Sequence, residues 1–321
     1  MTYVLHFSLT TIISLILFTC LLKVSSRIKQ IQDQGISILG GAGVLCSCAV
    51  SLIYTHLKHL PLPPALINIL LFASIIFLMG FIDDIREFPL FLKLTIQIIA
   101  ISLFLLGAKK IQLYFLPGYI NYLISFLWLL GITNAFNLLD INDGLCGGIS
   151  LIISLAFAII SFLCGYVILT HLFICLSAAL FAFYIFNLPP AKIYLGNSGS
   201  HFLGFLFASL SIDIDYKITE GIYTIFTPLL ILAFPLLDTF FLIFARTKKG
   251  ILPLLKSKDH IFMRLLKKDI SHQRALFIIY LVTISWCTTG IFMLTGQETI
   301  TICLLILSIL MTIFTIKKAR R

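Results

Sequence analysis

Residues 65–84 read ALINILLFASIIFLMGFIDD. The stretch from Ala65 to Ile82 carries no charge, and it ends on two carboxylates, Asp83 and Asp84. As an α-helix rising about 1.5 Å per residue it would reach about 27 Å, close to the thickness of a bilayer's hydrocarbon core. It is too long and too evenly apolar for a half-buried strand, which alternates between faces. The segment predicts a membrane-crossing helix whose last turn meets water through two acids.

The same signature recurs along the chain. Apolar runs near 4–22, 38–56, 91–107, 120–135, 146–167, 169–187, 199–212, 222–244, 275–294 and 298–316 join the run at 65–82. The expected fold is an all-α polytopic integral membrane protein with ten or eleven transmembrane helices, forming one domain over residues 1–321. Composition agrees. Of 321 residues 60% are hydrophobic and 11% charged, with a mean hydropathy of +1.09, against about 25% charged for a soluble domain. A membrane barrel would alternate in segments of about ten residues, and these runs do not. The stretch from Ile111 to Gly118, through Gln112, Leu113 and Tyr114 to Pro117, reads as a short extended turn. Most of the eight cysteines lie inside apolar runs, and Cys46 and Cys48 lack a second pair for zinc. They read as small hydrophobes rather than as a disulfide framework.

Charge sets an expected orientation. No basic residue precedes the first run, whereas Lys23, Arg27 and Lys29 follow it. That predicts an uncleaved span with its N-terminus outside, not a signal peptide. Nineteen of the 23 Lys and Arg then fall on the cytoplasmic side, the C-terminal tail included. Lys58, Lys109, Lys110 and Lys217 fall outside. A basic rim beside anionic headgroups accounts for the net charge of +10 without nucleic acid.

Four polar clusters interrupt the apolar pattern, all on the expected cytoplasmic side. Asp83 and Asp84 would repel each other unless a cation or basic group is near. Mg²⁺ suits such oxygens, and Lys93 and Gln97 follow in the next run. Alone, the pair also reads as a solvated acidic loop. The second cluster places polar residues three apart at Asn134, Asn137, Asp140 and Asp143, ahead of Gly144, Gly147 and Gly148. On a helix end that spacing makes one polar stripe, which in a membrane lines a cavity. The third runs from Asn187 through Tyr194 to Gly196-Asn197-Ser198-Gly199-Ser200, just before an apolar run. Small residues there expose backbone N–H groups to an anion, or serve as caps. The fourth is the basic loop from Arg246 to Arg274, with Asp259, His260 and Arg264. Most of its lysines suit ordinary topology, while His260 and Arg264 are spaced for one helix face. Asp238, three residues after Pro235, is an intramembrane carboxylate that either serves function or bonds backbone freed by a proline kink.

Together these residues resemble the polyprenyl-phosphate N-acetylhexosamine-1-phosphate transferases, glycosyltransferase family 4. The resemblance spans nearly the whole chain. Its carriers are Asp83-Asp84 with Lys93 and Gln97, the Asn137, Asp140 and Asp143-Gly144 set, Gly196 to Ser200, Pro235 to Asp238, and Asp259-His260 with Arg264. Ser271-His272-Gln273-Arg274 brings it closer to the teichoic-acid and lipopolysaccharide branch than to the peptidoglycan branch.

The resemblance implies an enzyme of the bacterial inner (cytoplasmic) membrane with its site facing the cytoplasm. Polyprenyl (undecaprenyl) phosphate attacks a UDP-N-acetylhexosamine, UDP-N-acetylglucosamine by default, and UMP leaves. This is the first membrane step of an envelope polysaccharide. It implies Mg²⁺, with Mn²⁺ as a substitute, and leaves room for a homodimer. Asp83, Asp84, Lys93, Asp143 and His260 fall on catalytic positions. Asn137, Asp140, Asn187, Tyr194, Gly196, Ser200 and Arg264 fall on substrate-binding positions. Asp84 and residue 197 fall on the metal positions. Two departures stand out. Residue 197 is Asn where the family usually has Asp, and His260-Ile261-Phe262-Met263 keeps only the first of three histidines. They motivate a rival reading, a catalytically impaired relative that binds lipid phosphate or a partner enzyme. Asp238 and the polar stripe motivate a transporter, although transporters place substrate groups near midplane.

Overall fold

A computed structural model describes residues 2–33, 35–57, 61–113, 116–216, 222–248, 250 and 259–320. Lys58, Lys217, Tyr114 and, within the basic loop, Lys249 and residues 251–258 lie outside the described residues. The chain divides into two compact units, Met1–Asp215 and Tyr216–Arg321.

The first unit holds α1 (Thr2–Ser25), α2 (Gly40–Leu57), α3 (Pro64–Ile85), α4 (Leu90–Gly107), α5 (Gly118–Leu139), α6 (Leu145–Leu163), α7 (Val167–Asn187) and α8 (Gly196–Asp213). Prolines mark several starts. Pro64 opens α3, while Pro89 and Pro117 immediately precede α4 and α5. A missing N–H is harmless where no intrahelical bond would form. Between α1 and α2 a two-residue hairpin pairs β1 (Gln32–Asp33) with β2 (Ile36–Ser37). The second unit holds α9 (Thr227–Ile231), α10 (Ala233–Thr247), α11 (Ile261–Leu266), α12 (His272–Leu294) and α13 (Glu298–Arg320).

The protein is thus a polytopic all-α membrane protein. Each of the eleven predicted runs coincides with helix, but they are not equal. Among the described residues, eight helices are long and apolar enough to cross a bilayer: α1, α3 to α7, α12 and α13. The bent pair α9–α10, broken by 64°, would be a ninth. The remaining two runs are α2 and α8, and α8 shows why hydropathy ranks it low. Every residue from Ser198 to Ile212 is buried, with α3, α5 and α2 packed around it. A helix that meets protein on all sides need not be apolar, so its first two turns remain polar.

Pro235 explains the α9–α10 break. It has no N–H for the carbonyl of Ile231 four residues back, and Cys287 Sγ lies 3.7 Å from that oxygen. The freed carbonyl therefore meets a weak thiol donor on α12 rather than Asp238. None of the eight cysteines forms a disulfide.

Candidate active site

In the first unit the polar residues form two adjoining knots. The first is built where α3, α4, α5 and α8 meet. Asp83, only 1% exposed, has Lys93 Nζ 2.7 Å from its Oδ2 and accepts the Phe88 N–H at Oδ1, 2.8 Å away. Asp84 turns the other way. Its Oδ1 accepts the Asn197 N–H at 2.7 Å and its Oδ2 the Ser198 N–H at 3.0 Å. These are the first free N–H groups of α8, where the helix dipole is positive. The anion expected at this helix start is therefore the protein's own Asp84, and neither Asn197 nor a serine caps the helix through its side chain.

Close backbone approach makes this contact. A β-carbon on Gly80 would lie 2.6 Å from the Asn197 carbonyl oxygen. Gly196 has φ +77, and a β-carbon there would meet Asp84 Oδ2 at 2.6 Å. Only glycine fits both the conformation and the space.

Asn137 reaches the same turn from α5. Its Nδ2 donates to Asn197 Oδ1 at 2.9 Å and to Ser200 Oγ at 3.2 Å. Ser200 Oγ in turn donates to the Gly196 carbonyl at 2.9 Å. Asn134 donates to Gln97 Oε1 at 2.7 Å, tying α5 to α4. The sequence passed over His201. It is 1% exposed, with Nδ1 2.7 Å from the Asn197 carbonyl and Asp83 and Lys93 as electrostatic neighbours. A carbonyl only accepts, so Nδ1 carries the proton. Its place four residues after Asn197, on the same helix face, was the available signal.

The expected stripe is not one stripe. Asn134 and Asn137 lie on α5, but Asp140 is its C-cap, with φ −81 and ψ 65. The chain then turns through Asn142 and Asp143 to Gly144, in the left-handed region. Asp143 belongs to the second knot, where its Oδ2 accepts the Ala191 N–H at 3.1 Å. Asn187 completes that knot, accepting the Gly144 N–H at 2.9 Å and donating to the Ile193 carbonyl at 2.8 Å. Next to it, the Tyr194 N–H donates to Ser37 and its carbonyl accepts from Gly40, which ties the β2 segment to the third cluster. Burial, then the carboxylates of Asp143 and Asp33, push the Tyr194 phenol up, so it stays a neutral ring with a proton to donate.

The second unit brings His260 and Asp238 together. His260 Nδ1 lies 2.6 Å from Asp238 Oδ2, and Asp238 Oδ1 accepts the Ile261 N–H at 2.9 Å. Both side chains are buried. Asp238 thus bonds neither proline-freed backbone nor solvent. Arg264 donates from Nε to the Asp259 carbonyl and from Nη2 to Asp259 Oδ1, with its guanidinium 4.9 Å from the Phe241 ring centre. Phe262, at a position where a histidine was expected, is a core residue whose ring meets His272 edge-on at 5.1 Å.

Among the described residues no three His, Cys, Asp or Glu side chains converge as a metal cage. Mg²⁺ commonly keeps its waters and takes one or two carboxylates plus substrate phosphates. Asp84, with one N–H on each oxygen, and the Asn197 amide oxygen fit that sparser kind of binding.

The sequence is similar to those of known proteins. Residues 66–215 match the glycosyl transferase family 4. A Bacillus subtilis (strain 168) protein named "Probable undecaprenyl-phosphate N-acetylglucosaminyl 1-phosphate transferase" is 30% identical over 266 residues, 79% of this chain and 72% of its own. The undecaprenyl-phosphate alpha-N-acetylglucosaminyl 1-phosphate transferase of Escherichia coli (strain K12) is 25% identical over 312 residues, 88% and 83% of the two chains. A phospho-N-acetylmuramoyl-pentapeptide-transferase of Streptococcus thermophilus is 33% identical over 173 residues, 47% and 49%. The region matched by the family contains Asp83, Asp84, Lys93, Asn137, Asp143 and the turn at Asn197, and this chain belongs to the glycosyl transferase family 4, as a membrane-embedded transferase.

Proposed function

We propose that the protein transfers N-acetylglucosamine-1-phosphate from UDP-N-acetylglucosamine to undecaprenyl phosphate, releasing UMP, as the first membrane step of an envelope polysaccharide. The observation that carries this reading is the joining of Asp83–Lys93, Asp84 and Asn137 around the start of α8. Relatives named for the same transfer support it. The chain acts as one transferase domain in the inner membrane, with its N-terminus outside and its C-terminus and site on the cytoplasmic side.

Lys93 steadies a phosphate while Asp83 holds the ammonium in place. Lipid phosphate is already ionised near neutral pH, so the main demand is electrostatic rather than proton abstraction. Asn137 and Ser200 hold the Asn197 turn toward the diphosphate. Tyr194 offers its ring to the uracil. Asp143 and Asn187 fix the loop that carries Tyr194, and Asp140 faces the nucleotide side. Arg264 contacts phosphate. Asp84 and Asn197 would hold Mg²⁺, or Mn²⁺ in its stead, which when bound neutralises diphosphate charge.

The test is UMP release by membranes carrying the protein, given undecaprenyl phosphate and a panel of UDP-sugars, with and without Mg²⁺. Release with UDP-N-acetylglucosamine, abolished by Asp83→Asn, is expected. No UMP from any UDP-N-acetylhexosamine would sink the proposal and leave the impaired relative as the reading.

A further inference from the structure

His260 and Arg264 both meet one face of α10, His260 through Asp238 and Arg264 over Phe241. Asp238 and Phe241 stand three apart on α10, so they share a face. Asp238 bonds His260 and the Ile261 N–H, and Phe241 lies under the Arg264 guanidinium. On α11 itself, the Arg264 N–H donates to the His260 carbonyl at 3.0 Å. His260 is 1% exposed and Asp238 2%, whereas the Arg264 side chain keeps 22% exposure. One residue of the segment faces outward and the other is sealed.

We propose that His260 is a positioning residue: with Asp238 it pins the first turn of α11 and so fixes Arg264, and it transfers no proton. The proposal rests on the transferase reading for its effect on turnover. Carboxylate oxygens only accept, so His260 Nδ1 must donate. What the pin needs is an N–H at that place, not an acid or a base. α11 has six residues, too few to persist without external bonds. Arg264 therefore depends on a helix that depends on Asp238.

His260→Asn separates the two roles, because a carboxamide N–H can take the place of Nδ1–H but cannot titrate. In the full-length protein in detergent, the expected result is UMP release within about tenfold of wild type with an unchanged pH profile, where loss of an acid–base group removes about 10²- to 10⁴-fold. His260→Ala is expected to lose activity mainly as a raised KM. In an Arg264→Ala background the same change should cost little more, since the positioned group is already gone. Hydrogen exchange gives a readout independent of turnover: amides 261–266 should exchange faster in His260→Ala and at the wild-type rate in His260→Asn. The proposal is overturned if His260→Asn is as inactive as His260→Ala, if it loses one limb of the pH profile, or if exchange in α11 is the same in all three proteins. Should wild type release no UMP, the transferase reading fails, and the exchange pattern alone decides whether the pin exists.

Discussion

Asp84 and Asp238 perform the same local task in the two units, and they do it for very different helices. Asp84 gives one oxygen to each of two successive N–H groups at the start of α8, 113 and 114 residues away in sequence. Asp238 gives one oxygen to the Ile261 N–H, 23 residues away, and the other to His260. The α8 helix has 18 residues and is buried almost throughout, so its packing would hold it without a cap. The α11 helix has six residues, of which Ile261, Phe262 and Leu265 are buried, so it leans on its anchor far more than α8 does. The first carboxylate shapes a turn and the second maintains an element.

That contrast can be broken by experiment. The largest effect is expected from Asp238→Ala, which strands a buried imidazole and a buried N–H. Removing one partner of a buried pair destabilises by about 3–5 kcal/mol, measurable as lost protection in α11 and a lower unfolding midpoint. If α11 stays protected, the difference between the two caps disappears. Asp84→Ala comes next. Leaving buried donors unpaired costs about 1–3 kcal/mol each, yet exchange within α8 beyond its first turn should be unchanged while UMP release is abolished. Asp84→Asn should recover part of the stability and none of the activity, because a carboxamide keeps one acceptor oxygen and no charge. Gly80→Ala tests the close approach that lets Asp84 reach α8. The added methyl meets backbone rather than a flexible side chain, and overpacking of this kind costs about 1–3 kcal/mol. Activity should fall with the shift of the Asn197 turn, and a normal unfolding midpoint would show that α3 can give way. The smallest effect is expected from Ser200→Ala, about 1 kcal/mol for a net hydrogen bond, with a raised KM for the sugar nucleotide as its signature.

Much of the fold was legible in the sequence, because the signal that sets a membrane helix is local. All eleven apolar runs became helix, and α8, which is not apolar enough for an independent span, departs for a tertiary reason, its burial in protein on all sides. The clusters were legible as places but not as arrangements. A period of three from Asn134 to Asp143 suggested one stripe. The structure divides it at Asp140, where α5 ends, and the turn that closes on left-handed Gly144 sends Asp143 to the Asn187 loop. His201 was missed because it follows a stronger motif and sits inside an apolar run. Phe262 was read as a lost histidine, and its burial shows what the position now contributes: packing against His272.

The sequence by itself determined that this protein lives in a membrane, where its helices run, and where its polar groups gather. Those are consequences of transfer free energy summed over neighbouring residues, and each segment carries them alone. Only the tertiary structure decided what each polar group bonds. A carboxylate at the end of a helix is equally well satisfied by a lysine, a metal, a phosphate or another helix's first N–H groups. Which of these it meets depends on the segment folded against it, more than a hundred residues away for Asp84. The two adjacent acids, Asp83 and Asp84, which look interchangeable in sequence, separated on that basis into the partner of Lys93 and the cap of α8.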